Sequence, residues 1–81
     1  MEIKVLGAGC PRCHQLMMEV INTLAEMDLD AGVNMVEDKQ LISSYNVNSL
    51  PAIVINGKVK TEGKIPNRKE IKKLIITENE L

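Results

Sequence analysis

Between Ala52 and Glu62 the chain reads AIVI, then Asn56-Gly57, then KVKTE. Asn-Gly is the strongest short turn signal for antiparallel strands, because both residues tolerate the positive φ that a two-residue hairpin demands. The stretch therefore commits Ala52–Ile55 and Lys58–Glu62 to an antiparallel pair, and every other element has to be arranged around it.

Upstream, Glu2–Leu6 (EIKVL) reads as a short strand broken by Gly7-Ala8-Gly9. From Pro11 to Met27 the apolar period becomes helical. Cys13, Leu16, Met17, Val20, Leu24 and Met27 share one stripe, and Arg12, Gln15, Glu19, Asn22 and Glu26 lie off it. Pro11 suits the first helical position, where its missing N–H removes no hydrogen bond, and this puts Cys10 at the N-cap. Val33–Val36 is a second strand. Asp38 caps a short helix running through Tyr45, with Leu41, Ile42 and Tyr45 expected inward and Asn46 as the left-handed residue that ends it. Asn67–Glu70 (NRKE) is a capping-box variant. It opens a last helix that carries Ile71, Leu74 and Ile75 inward and is expected to fade into a frayed tail over residues 77–81. The order is β-α-β-α-β-β-α. A strand–helix–strand unit implies parallel strands joined by a right-handed crossover, and the hairpin adds antiparallel strands. The expected fold class is α/β, with a four-stranded mixed central sheet flanked by helices.

With 81 residues the chain is expected to form a single domain over 1–81. Phe and Trp are absent and Tyr45 is the only aromatic ring, so the core must be built from Ile, Val, Leu, Met and Ala. The methionines Met17, Met18, Met27 and Met35 are read as core or rim filling rather than as ligands. A net charge of −1 predicts neither a nucleic-acid footprint nor attraction to anionic membranes. Lys58, Lys60, Lys64, Arg68, Lys69, Lys72 and Lys73 are interspersed with Glu62 and Glu70, as on a solvated face. The opening MEIKVLGAG is too short for a signal peptide, and no apolar run approaches the ~18 residues needed to span a bilayer. The expected compartment is the cytoplasm, where structural disulfides are rare. Two cysteines there point to catalysis, redox sensing or metal.

Both cysteines lie in GAGCPRCHQL, residues 7–16. As a staple, a disulfide closing so short a loop would supply only ~2 kcal/mol, and the helix already restricts these residues. A structural zinc site normally needs four protein ligands. Here there are two thiols and His14, and the adjacent side chains of Cys13 and His14 diverge from one helix. A two-coordinate cuprous site would need only the thiols. Small copper carriers also place Cys-x-x-Cys between a first strand and a first helix. They usually have Met where this chain has Ala8, and they end in a strand rather than a capped helix. Redox exchange fits best. Residues i and i+3 of a first helical turn have Cβ atoms ~5–6 Å apart. A disulfide needs ~3.5–4.5 Å, so a small adjustment makes or breaks the bond. The helix dipole contributes ~0.3–1 kcal/mol at Cys10, less than the 1.36 kcal/mol of one pKa unit, so hydrogen bonds must supply any further activation. Arg12 could add a modest, screened contribution. Soft-metal carriage by the same thiols and a purely redox-sensing module remain the competing classes.

Gly-x-Gly-Cys-Pro-Arg-Cys after a first strand, followed by NVNSLPAIVINGK, resembles the thioredoxin/glutaredoxin superfamily. More narrowly it resembles the short archaeal and bacterial thioredoxin-like redox-active disulfide proteins, which lack the extra N-terminal β-α unit of full thioredoxins. The likeness covers Met1 to Ile76. It implies a thiol–disulfide oxidoreductase with Cys10 as the exposed attacking thiolate and Cys13 as the buried resolving thiol. Pro51 would be the cis-proline facing them, and Leu50 would lend backbone to an extended substrate, with Pro11 and Arg12 also on the substrate surface. No cofactor beyond a redox-active Cys10–Cys13 disulfide and no metal are expected. The implied partners are protein disulfides and an external disulfide reductase, with the chain acting as a monomer.

Two departures from the family pattern bear on chemistry. Full thioredoxins carry Trp before the first Cys and a buried acid six positions before it, where this chain has Gly9 and Lys4. Water, His14 or Lys4 would have to accept the proton of Cys13. The Gly-Gly and acidic residues by which glutaredoxins bind glutathione are replaced by TEGKIPNRKE, with Gly63 alone, which argues against a dedicated glutathione site. His14 itself reads as a rim residue beside Met18 and Ile21, or else as a group that tunes the thiols.

Overall fold

Asn56 and Gly57 both take positive φ, 51° and 82°, and across them β3 (Ala52–Ile55) pairs antiparallel with β4 (Lys58–Glu62). The computed structural model describes residues 1–7 and 11–79. Before the hairpin come β1 (Glu2–Leu6), α1 (Pro11–Glu26), β2 (Gly32–Val36) and α2 (Lys39–Ser44), and after it α3 (Arg68–Asn79). This is the β-α-β-α-β-β-α order expected from the sequence. The sheet order is β2-β1-β3-β4. β1 is parallel to β2, with Ile3 opposite Val33, and antiparallel to β3, with Ile3 opposite Ile55.

Alternation along β1 divides the core in two. Ile3 and Val5 face α1 and α3, where they join Leu16, Val20 and Leu24 of α1, Ile53 and Ile55 of β3, and Ile71 and Ile75 of α3. Leu6 faces the other way, with Ala52, Val54 and Ile42 of α2. Two helices thus cover one face of the sheet and one short helix the other. At roughly 1.5–3 kcal/mol for each large aliphatic side chain fully buried, the nine-residue cluster under α1 and α3 outweighs the four-residue cluster under α2.

The helix ends follow the expected chemistry. The Asp38 carboxylate accepts from the N–H groups of Gln40 and Leu41 at 2.8 and 3.3 Å, and Asn46 has φ 57°. Asn67 and Glu70 cap each other: the Asn67 side chain accepts from the Glu70 N–H at 2.9 Å, and the Glu70 carboxylate accepts from the Asn67 N–H at 3.4 Å.

Packing departs from the sequence pattern at three places. Leu41, expected inward, is 55% exposed, because in so short a helix only Ile42 and its neighbour Tyr45 reach the sheet. Thr23, outside the apolar stripe, is fully buried, its hydroxyl satisfied by donation to the Glu19 carbonyl at 2.6 Å. The methionines keep to core and rim as expected, with Met18 52% exposed and Met17, Met27 and Met35 packed against the core. α3 continues through Thr77–Asn79, where fraying is expected, because the Glu78 carboxylate lies only 6% exposed and reaches back to β4, 2.6 Å from Lys60 and 3.6 Å from Lys58. Much of the basic face is likewise paired: Arg68 and Lys72 of α3 both bond Glu26 of α1, and Lys64 lies 4.0 Å from Glu70. No helix is long and apolar enough to cross a membrane.

Candidate active site

β1 ends where the ladder with β2 closes: the Gly7 N–H donates to the Val36 carbonyl at 2.9 Å. The next residues, Ala8, Gly9 and Cys10, lie outside the described residues, and with them the expectation that Cys10 is the N-cap. The chain is described again at Pro11, which opens α1 as the missing N–H of proline favours.

Cys13 sits in the first turn of α1 with no solvent exposure, and it is disulfide-bonded. Its neighbour across the strand–helix junction is Gly7. A β-carbon on Gly7 would meet both the Cβ and the Sγ of Cys13, with the Met35 sulfur 3.9 Å away. The sequence marks Gly7 as a strand breaker. Its position against a cysteine depends on how α1 folds back onto β1, a relation that no local pattern carries.

Pro11 and Arg12 are exposed on the first turn of α1. From there the Arg12 guanidinium donates to the Gly63 carbonyl at 3.3 Å, and the Gly63 N–H donates to the Pro51 carbonyl at 2.9 Å. The Leu50–Pro51 peptide is cis, with Pro51 buried and Leu50 partly exposed. Gly63 has φ 73°, and a β-carbon there would stand 2.8 Å from the Cβ of Ser49. The first turn of α1, the Leu50–Pro51 loop and the turn after β4 are thus tied by hydrogen bonds through one glycine. Arg12 and Pro51, about forty residues apart in the chain, are linked through Gly63. Gly63, which the sequence reading weighs only against a glutathione site, is the joint between them. The isolated glycine after the hairpin was its only local signal.

Of the groups considered as proton acceptors, Lys4 is engaged elsewhere. Its ammonium lies 3.3 Å from the Tyr45 hydroxyl and 3.2 Å from the Glu2 carboxylate. The hydrogen bond to Tyr45 and then that to Glu2 hold its pKa above the ordinary lysine value, so it stays charged at neutral pH and takes no proton from a thiol. His14 is exposed on the outer side of α1, beside the exposed Met18 and Ile21, as a rim residue would be. Among the described residues, no three His, Cys, Asp or Glu side chains gather to hold a metal ion.

Residues 1–76 match the family model described as a thioredoxin domain. A thioredoxin of Methanocaldococcus jannaschii is 34% identical over 70 residues, spanning 86% of this chain and 80% of that protein. A thioredoxin of Methanothermobacter thermautotrophicus is 27% identical over 75 residues, 93% of this chain and 97% of that protein. Among solved structures, thioredoxin 1 from Thermosipho africanus superposes with a TM-score of 0.68 at 19% identity, covering 99% of this chain and 96% of that one. That structural likeness carries the fold, and the family model and the archaeal relatives carry the kinship. The chain belongs to the thioredoxin family of thiol–disulfide oxidoreductases.

Proposed function

We propose that the chain reduces disulfides of partner proteins by cycling Cys10 and Cys13 between dithiol and disulfide. The observation that carries this reading is the state of Cys13: fully buried in the first turn of a helix and disulfide-bonded, in a chain whose one other cysteine stands three positions earlier. A sulfur so enclosed suits resolution rather than first attack, which leaves Cys10 as the attacking thiolate.

In the first step the Cys10 thiolate attacks one sulfur of the client disulfide. A mixed disulfide forms, and the other client sulfur leaves as a thiolate that takes up a proton. In the second step Cys13 gives up its proton, and its thiolate attacks the sulfur of Cys10. The mixed disulfide breaks, and the client's second sulfur leaves as a thiolate and is protonated. Two electrons have passed to the client, and the internal disulfide remains to be reduced by an external disulfide reductase. With Lys4 held as an ammonium by Tyr45 and Glu2, the Cys13 proton passes to water. Leu50, Pro51, Pro11 and Arg12 form the surface on which an extended client segment lies. The chain acts as a single-domain monomer in the cytoplasm.

Replacing Cys13 with Ser and supplying insulin as the disulfide substrate tests the order of attack. A covalent adduct through Cys10 is expected, with turnover lost. Full turnover without an adduct would refute the resolving role.

A further inference from the structure

The two edges of the sheet are finished differently. β4 carries Lys58 and Lys60, is irregular opposite Ile53 and Val54, and is tied to α3 through Glu78. Lysines, bulges and covering elements are the usual means of keeping an edge strand from pairing with another chain. β2, at the other edge, has none of these along Gly32–Val36 among the described residues. Its Val36 carbonyl bonds toward β1, through the Gly7 N–H. Alternation therefore turns the backbone N–H and C=O groups of Val33 and Met35 outward, as a template for one more strand.

Beside this edge lies an open groove of about 380 Å³ between α1 and β2, walled mainly by Ile21, Ala25, Leu29, Ala31 and Val33, with Asp30 also lining it. Ile21 is 39% exposed, an apolar surface left uncovered among the described residues. Every charged residue from Asp28 to Asp38 is acidic. Asp38 spends its carboxylate on the α2 cap, whereas Asp28, Asp30 and Glu37 are exposed and enter no ion pair among the described residues. The acids stand at both ends of the strand. A second copy pairing antiparallel would bring the Asp28–Asp30 end of one β2 against the Glu37–Asp38 end of the other, and like charges facing across strands are destabilising. The same arrangement attracts a strand with basic ends.

We propose that the β2 edge and its groove dock an extended segment of a partner protein, apolar at alternate positions and flanked by lysine or arginine, which adds to the sheet as a further strand. The backbone groups of Val33 and Met35 supply its hydrogen bonds, the groove takes its alternate apolar side chains, and Asp28, Asp30 and Glu37 select the basic flanks. This surface shares no residue with the Arg12–Gly63–Pro51 joint.

The test is an amide NMR titration of the full chain with a cysteine-free peptide of alternating valine and threonine, flanked at each end by two lysines. Because the peptide cannot exchange a disulfide, the outcome is independent of the thiol chemistry. The Val33 and Met35 amides are expected to shift and to gain protection from hydrogen exchange. Binding should weaken about tenfold when glutamates replace the flanking lysines, or when the chain carries Asp30→Lys with Glu37→Lys. Ile21→Glu, which changes one exposed groove wall and no edge charge, should weaken it comparably. No binding, equal binding of the lysine- and glutamate-flanked peptides, or shifts confined to the Leu50–Pro51 loop would each overturn the proposal. So would a peptide-free dimer that already protects Val33 and Met35.

Discussion

Gly7 lies against Cys13 so closely that a β-carbon on Gly7 would stand 2.8 Å from the Cβ of Cys13 and closer still to its Sγ. The glycine is there for want of space, since the buried cysteine fills the room a side chain would need.

Gly7→Ala must therefore push α1 away from β1 or distort the Cys13 side chain, at a cost of about 1–3 kcal/mol, as overpacked sites show. Gly32, on the next strand, has nothing within 4 Å of its would-be β-carbon, so Gly32→Ala should change stability by no more than about 0.5 kcal/mol. Urea denaturation of both variants in the oxidised state measures the contrast. Equal effects would mean that Cys13 is not confined by Gly7.

Gly63 is constrained in two ways, by a φ of 73° and by Ser49. Gly63→Ala should cost about 1–3 kcal/mol and, by shifting the N–H that holds the Pro51 carbonyl, lower turnover on a protein disulfide. Thermal melts and an insulin-reduction assay on the same preparation would show both losses. A destabilised variant with full turnover per folded molecule would separate the joint from catalysis.

Arg12 is exposed, and its bond to the Gly63 carbonyl spans two surface segments. Arg12→Ala should leave stability within about 0.5 kcal/mol of the parent and lower kcat/KM toward a protein disulfide about two- to fivefold, the range of an exposed polar contact. A small model disulfide that does not reach the Gly63 turn should be reduced at the parental rate. Comparing the two substrates gives the answer.

Glu78 has its pKa lowered first by the hydrogen bond from Lys60, then by the charges of Lys58 and Lys60, against the opposing effect of burial. A carboxylate with a depressed folded-state pKa contributes stability that is fully present above its unfolded value, near ~4.3, and is lost as pH falls through the folded value. The parent should thus lose more stability than Glu78→Gln between neutral pH and pH 3, with the variant less stable at pH 7. Chemical denaturation across that range measures the difference. Parallel pH profiles would show that the ion pair contributes nothing.

Much of this was legible from local chemistry. Asn56-Gly57 made the hairpin, Asp38 and the Asn67–Glu70 pair set their helix starts, and the Cys-Pro-Arg-Cys run placed a cysteine at the opening of α1. Each of these acts over four residues or fewer, so the residues themselves suffice. Leu41 shows where that reach ends. It and Ile42 are adjacent and equally apolar, and only the position of α2 over Leu6, Ala52 and Val54 decides which one is buried.

The amino-acid order by itself determined the succession of strands and helices, the turn and cap residues, and the pair of thiols available for exchange, because each depends on a few neighbouring dihedral angles or on residue identity. Tertiary structure alone decided that Gly7 is pressed against Cys13, that Gly63 joins Arg12 to Pro51, that Glu78 holds the last turn of α3 to Lys60, and that β2 is left with an open edge. These relations link residues brought together by the sheet order β2-β1-β3-β4. Even where both partners lie close in the chain, as Gly7 and Cys13 do, their contact depends on how helix and sheet pack rather than on the local residue pattern.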